Sequence, residues 1–133
     1  MRTEYQHFTL LNIDSLEEFE PYADSFAQAF QSVFTSPPYH EHFLLSEATA
    51  LMEFHLETKR RWTLLALLDD EVVGFGMACS LRNYPEICRH IHGLLPPKYT
   101  HYFAELGVIP EQRQQGLGKK ITELYLTWVD QQP

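Results

Sequence analysis

Val108-Ile109-Pro110-Glu111-Gln112-Arg113-Gln114-Gln115-Gly116-Leu117-Gly118 decides how this chain reads. The stretch closes an apolar, strand-like run and opens a helix-like one. Arg113, Gly116 and Gly118 fall at an R-x-x-G-x-G spacing. A glycine turn at the start of a helix is an anion cradle. The first N–H groups have no helical acceptor, and the helix dipole adds partial positive charge. Glycine permits positive φ and lets the backbone approach a bulky phosphate. The implied ligand is a small phosphorylated molecule.

Outward from the turn, Leu117, Ile121, Leu124 and Trp128 form an i, i+4, i+7, i+11 stripe, with Lys119, Lys120, Glu123 and Asp130 opposite. This predicts a final helix from about Gly116 to about Asp130. Tyr99 to Val108 is the strand before the turn. Simple alternation puts Tyr102, Ala104, Leu106 and Val108 on one face and His101, Phe103 and Glu105 on the other. Trp62 to Leu68 is a nearly continuous apolar run, as in a buried strand. Asp69-Asp70-Glu71 makes a turn into a strand over Val72 to Cys79, so the two form an antiparallel hairpin. Gly74 and Gly76 share one face there, which suits either a ligand or a closely packed helix.

Upstream, Tyr5 to Asn12 reads as a first strand. Ser15-Leu16-Glu17-Glu18 fits a capping box. Leu16, Phe19, Ala23, Phe26, Phe30 and Val33 then recur at helical spacing. Pro21 fits better as the first residue of a helix that follows a separate short turn. A second helix is expected from Glu41 to Lys59. Residues 81–98 are irregular, with a short helical turn over Ile87 to Ile91. The order predicts one domain over residues 1–133, of mixed α/β (α+β) class, with a largely antiparallel sheet flanked by helices.

The composition suits a soluble globular domain: of 133 residues, 44% are hydrophobic and 21% charged. No apolar run approaches the roughly 20 residues of a membrane span, and no signal-like stretch opens the chain. Two cysteines, Cys79 and Cys88, make no disulfide framework, so a cytoplasmic protein is expected. The net charge of −8 is uneven: residues 1–81 carry 13 acids and 4 bases, residues 82–133 carry 5 and 6. An acidic side suits a cationic substrate. With Lys59-Arg60-Arg61 the only basic run, nucleic acid is not an expected partner.

Glu105-Leu106-Gly107-Val108-Ile109-Pro110-Glu111-Gln112-Arg113-Gln114-Gln115-Gly116-Leu117-Gly118-Lys119 resembles the acyl-CoA-binding motif of the GNAT N-acyltransferases. That signature is a strand-terminal Val, then Q/R-x-x-G-x-G/A, then a helix. The resemblance implies acetyl-CoA as co-substrate and transfer of its acetyl group to a small-molecule or peptide amine. It places Leu106, Val108, Ile109, Arg113, Gln114, Gln115, Gly116, Leu117, Gly118 and Lys119 on the CoA. Backbone N–H groups from Arg113 to Lys119 would hold pyrophosphate, Arg113 would order the loop, and Val108 would pair with the pantetheine arm and polarise the thioester. Glu105, three residues before Val108, is the candidate base. His101, on the same expected face but roughly 13 Å away at strand rise, could not share its proton. The segment Ser36-Pro37-Pro38-Tyr39 either shapes the acceptor pocket or simply joins two helices.

The family normally continues past the final helix with another strand, a helix and two more strands. Here only Gln131-Gln132-Pro133 follow Asp130, so a C-terminally truncated fold is expected. Its motif strand would be an open edge, inviting a homo-oligomer. Two alternatives stand beside the enzyme. One is a non-catalytic acyl-CoA-binding or regulatory module. The other is a His-rich metal-binding protein using His40-x-His42 and His90-x-His92 with Cys88, His55 or His101, although no HExxH or CxxC is present and no metal is expected.

Overall fold

In the computed structural model, which describes residues 2–90, 94 and 100–132, five strands form one sheet in the order β1-β2-β3-β4-β5. The strands are β1 (Arg2–Tyr5), β2 (Phe8–Asn12), β3 (Trp62–Leu68), β4 (Glu71–Ser80) and β5 (His101–Val108). Every neighbouring pair is antiparallel. The expected mixed α/β architecture is therefore present. The expected hairpin of Trp62–Leu68 with the next strand is present too, turning at Asp69 and Asp70 with φ of 52° and 64°. Two consecutive left-handed residues match the twist of a tight hairpin, and aspartate tolerates that region.

The first strand departs from expectation. Residues 5–12 are not one strand but the second half of a hairpin, with Tyr5 paired to Phe8 and Gln6 at φ 55°. Gln6-His7 carries none of the glycine or asparagine that marks such a turn in sequence. The first helical stretch is divided near Pro21, as the sequence suggests. Ser15 Oγ accepts from Glu18 N–H at 3.1 Å, capping α1 (Leu16–Phe19). A 3-10 turn over Glu20–Tyr22 holds Pro21, and α2 (Ala23–Thr35) follows. Pro21 thus sits in the turn rather than opening α2, because its ring and missing N–H exclude a continuous helix. The next helix, α3 (Leu45–Leu56), is shorter than the predicted Glu41–Lys59. Glu47 sets its start by accepting from Leu44 N–H at 2.8 Å. Between β4 and β5 lie a 3-10 turn (Leu81–Asn83) and α4 (Pro85–His90). Tyr99 and His92 lie outside the described residues. The chain closes with α5 (Leu117–Asp130), as the stripe predicts.

The sheet is covered on both faces. On one, α2 and α3 enclose Phe26, Phe30, Phe75, Met52, Leu65 and Met77, all fully buried. Phe26, Phe30 and Phe75 meet ring to ring at 5.4–5.7 Å. Each such burial contributes roughly 1.5–3 kcal/mol. On the other face, α5 places Leu117, Ile121 and Tyr125 over Trp62, Leu64 and Ala66. The paired glycines of β4 serve this second layer. A Cβ on Gly76 would come within 2.8 Å of both Ile121 and Trp62, so the absent side chain admits α5 to the sheet.

Candidate active site along the last strand

Among the described residues β5 is one of the two edge strands, opposite β1, and it carries a β-bulge. Met77 pairs with Glu105 while its neighbour Ala78 pairs with Phe103, leaving Ala104 as an extra residue. The bulge overturns the simple alternation expected for this strand. His101 and Phe103 turn towards α5: His101 packs edge-on against Trp128 at 5.2 Å, and Phe103 against Tyr125 at 4.4 Å. Past the bulge the parity is inverted, so Glu105 joins Tyr102 on the α3 face. Glu105 and His101 therefore lie on opposite faces rather than sharing one.

Glu105 and Ala104 line a cavity of about 230 Å³ with Leu51, Phe54, Met77, Tyr84 and Tyr102. The Tyr84 and Tyr102 rings meet edge-on at 4.8 Å, and Phe54 meets Tyr84 at 6.4 Å. Burial first, and the charge of Glu41 second, push the Glu105 carboxyl up from 4.5 to about 7. A general base works best with its pKa near the working pH. Burial likewise raises the Tyr84 phenol to about 12, with Cys79, Tyr102 and Glu105 adding to the shift. No local pattern marks Tyr84, Phe54 or Leu51 as site residues. They reach the cavity from α3 and from the segment after β4, so no local spacing links them to Glu105.

The strand runs directly from this cavity into a second one. Leu106, Gly107 and Val108 line a groove of about 300 Å³ with Val33, Pro38, Tyr39, Arg113 and Gly118. Pro38 and Tyr39 therefore border the groove and are not among the residues lining the Glu105 cavity. Ile109 N–H donates to Val73 C=O at 2.9 Å. By antiparallel alternation, the N–H and C=O of Val108 then face the open edge. Arg113 Nε donates to that carbonyl at 2.9 Å, and its Nη2 donates to Ser36 Oγ at 3.1 Å. Ser36 Oγ in turn donates to Val33 C=O at 2.6 Å. The chain of bonds ties the end of α2 to the end of β5, and Arg113 acts as a loop organiser. The Val108 N–H remains directed at the groove.

The glycine turn closes the arrangement. A 3-10 turn over Pro110–Gln112 leads to Gln114 at φ 66° and Gly116 at φ 80°, which caps α5. Gln115 is held by its side chain, which donates to Gln112 Oε1 at 2.9 Å, and by its carbonyl, which accepts from Gln6 Nε2 at 3.2 Å. Lys120 N–H donates to Gly116 C=O at 2.9 Å. The N–H groups of Leu117, Gly118 and Lys119 precede that bond and have no acceptor in their own helix. No acidic residue occupies the first turn of α5, and Lys119 and Lys120 do. A Cβ on Gly118 would touch only Val108, at 3.9 Å, so the inner side of the turn is open. A CoA pyrophosphate fits these residues: outward N–H groups, a positive dipole end, two lysines and space. Tyr5 is a neighbour the sequence did not suggest. Its ring lies 5.6 Å from Lys120 Nζ, and its hydroxyl lies 3.0 Å from where a Gly116 Cβ would sit.

The described histidines do not assemble. Among the described residues no three His, Cys, Asp or Glu side chains form a group that could hold a metal ion. His55 is buried and hydrogen-bonded through Nε2 to Thr63 Oγ1 at 2.8 Å. Among those residues, too, no helix is long and apolar enough to cross a membrane.

Solved structures share this fold. PH1933 from Pyrococcus horikoshii OT3 superposes with a TM-score of 0.63 at 12% identity, over 91% of this chain and 71% of that one. A GNAT family acetyltransferase from Staphylococcus aureus gives 0.61 at 11% identity, over 94% and 79%. The aminoglycoside acetyltransferase meta-AAC0020, from an uncultured soil metagenomic sample and bound to sisomicin, gives 0.54 at 18% identity, over 93% and 71%. No protein of curated function matches the sequence. The sequence model of the acetyltransferase (GNAT) family matches residues 19–132. That span takes in α2 through α5, including the bulged strand, both cavities and the glycine turn, and the chain belongs to the GNAT acetyltransferase family.

Proposed function

We propose that the protein binds acetyl-CoA along β5 and transfers the acetyl group to an amine held beside Glu105. One observation carries the reading. A single strand leads from a cavity holding a carboxyl poised near neutrality, through an open-edge N–H at Val108, to a helix N-terminus built for an anion.

Acetyl-CoA supplies an activated thioester carbonyl. This chain's residues do the rest. The N–H groups of Leu117, Gly118 and Lys119 bind the pyrophosphate. Val108 pairs its open edge with the pantetheine arm and aims its N–H where negative charge develops on the carbonyl oxygen. Ionised Glu105, directly or through one water, takes a proton from the incoming ammonium and frees its lone pair. The new C–N bond forms as the C–S bond breaks. In net balance the neutral amine loses one proton and the thiol gains one. Holding both reactants beside one strand supplies most of the advantage.

Calorimetric titration with acetyl-CoA and a thiol-release assay over a panel of amines test this reading. Gly118→Trp fills the open side of the turn, and acetyl-CoA affinity should fall more than tenfold while the thermal midpoint is held. Unchanged affinity in the folded variant refutes the cradle. Acetyl-CoA binding without thiol release on any amine refutes transfer and favours a non-catalytic binding module.

A further inference from the structure

We infer that the acceptor is a small primary amine with one apolar, ring-sized arm, and that Phe54, Tyr84 and Tyr102 select it by enclosing that arm. The inference rests on the proposed acetyl transfer and names its substrate class.

The walls of the Glu105 cavity carry it. Leu51 and Met77 are aliphatic or thioether surfaces, and Phe54, Tyr84 and Tyr102 supply three rings. Among the described residues lining it, Glu105 alone is charged. The tyrosine rings stand at 76° to one another, so a third ring can meet one edge and one face. A cation is favoured at one end only, where Glu105 and the nearby Glu41 lie. The fitting ligand is therefore amphipathic, with an ammonium at the strand and an apolar body against α3.

Size narrows the class. The cavity is about 230 Å³. An engineered apolar cavity of about 150 Å³ takes benzene, whereas pockets for drug-sized ligands start at about 300 Å³. One ring and a short linker fill the space. An aminoglycoside exceeds it, and its hydroxyl groups would meet aromatic walls that leave their hydrogen bonds unmade. A polyamine carries further charges into the same walls.

Phe54 is the residue on which to test this, because it is 53% exposed and lies outside the buried core. Acetylation of phenethylamine, ethanolamine, spermidine and sisomicin is compared by thiol release. Binding of each amine to the protein, with and without CoA, is followed separately by saturation-transfer NMR. Phenethylamine should exceed ethanolamine at least tenfold in kcat/KM and show saturation transfer from aromatic protons. Phe54→Ala should raise KM for phenethylamine roughly fivefold, the worth of an aromatic contact. That rise should exceed any change in the KM for ethanolamine, which has no ring to enclose. Phe54→Leu should recover part of the loss. Ethanolamine, spermidine or sisomicin matching phenethylamine overturns the inference while leaving acetyl transfer intact. So does absence of phenethylamine binding in the NMR experiment. Phenethylamine binding without turnover on any amine sustains the pocket assignment and overturns the transfer reading instead.

Discussion

Replacing Glu105 with glutamine should make the protein more stable above neutrality while removing its base. In the folded chain burial and Glu41 raise the Glu105 carboxyl from 4.5 to about 7. The folded state thus binds the proton more tightly than the unfolded state. The stabilisation is complete below 4.5 and is lost as pH rises through about 7. At 1.36 kcal/mol per tenfold in proton affinity, the full cost of the ionised form is about 3 kcal/mol. The side chain is only half-buried, so solvent screening reduces this to about 1–2 kcal/mol. Glutamine keeps the shape and cannot ionise. Urea unfolding of both proteins at pH 5 and pH 8.5, read by Trp62 and Trp128 fluorescence, measures the difference. Near pH 5 the two midpoints should nearly coincide. At pH 8.5 the variant midpoint should lie about 0.5–1 M higher, for a slope of roughly 2 kcal/mol per molar. Thiol release should fall by about 10²–10⁴ in the same variant. A stability difference that does not change with pH, or a variant less stable at pH 8.5, refutes the account of Glu105 as a carboxyl held against its preferred ionisation.

Two further outcomes concern the scaffold. Gly76→Ala drives a methyl to within 2.8 Å of Ile121 and Trp62, and should cost about 1–3 kcal/mol in urea unfolding. His55 is 1% exposed, and burial chiefly lowers its imidazole from 6.5 to about 4. Its stabilisation is complete above 6.5 and fades as pH falls towards 4, so the His55 contribution to the unfolding free energy should drop by about 2–3 kcal/mol between pH 7.5 and 4.5, read as the difference between the wild-type chain and His55→Gln at the two pH values.

Much of the scaffold was legible because its signals are local. Trp62–Leu68 is apolar throughout, Asp69-Asp70 supplies two residues that tolerate positive φ, and the α5 stripe keeps one period for three turns. The glycine turn was legible for the same reason. The β1–β2 hairpin was not, because Gln6-His7 turns without glycine or asparagine and Tyr5 reads on into Phe8. Nor was the bulge. Ala104 is an ordinary strand residue, and its exclusion from pairing is decided by the partners in β4. Glu105 was singled out as a candidate by its distance to Val108, but its surroundings were not legible. Tyr84, Phe54 and Leu51 come from remote segments, and only the folded chain brings them to one carboxyl.

The bulge at Ala104 makes residue count itself a chemical variable. Tyr102 and Glu105 are three positions apart, an odd interval, yet they share a face. Along β5 the period of two is intact on either side of Ala104 and slips phase once between them. What a side chain there confronts depends on which side of the slip it stands. The site is thus written in length as well as in identity. Removing Ala104 would set Phe103 beside Glu105, opposite Ala78 and Met77, and both halves of the strand would keep their faces. Pairing the same residues without the slip would instead exchange their audiences, turning the carboxyl of Glu105 towards the layer under α5 and leaving the aromatic cavity without its charge.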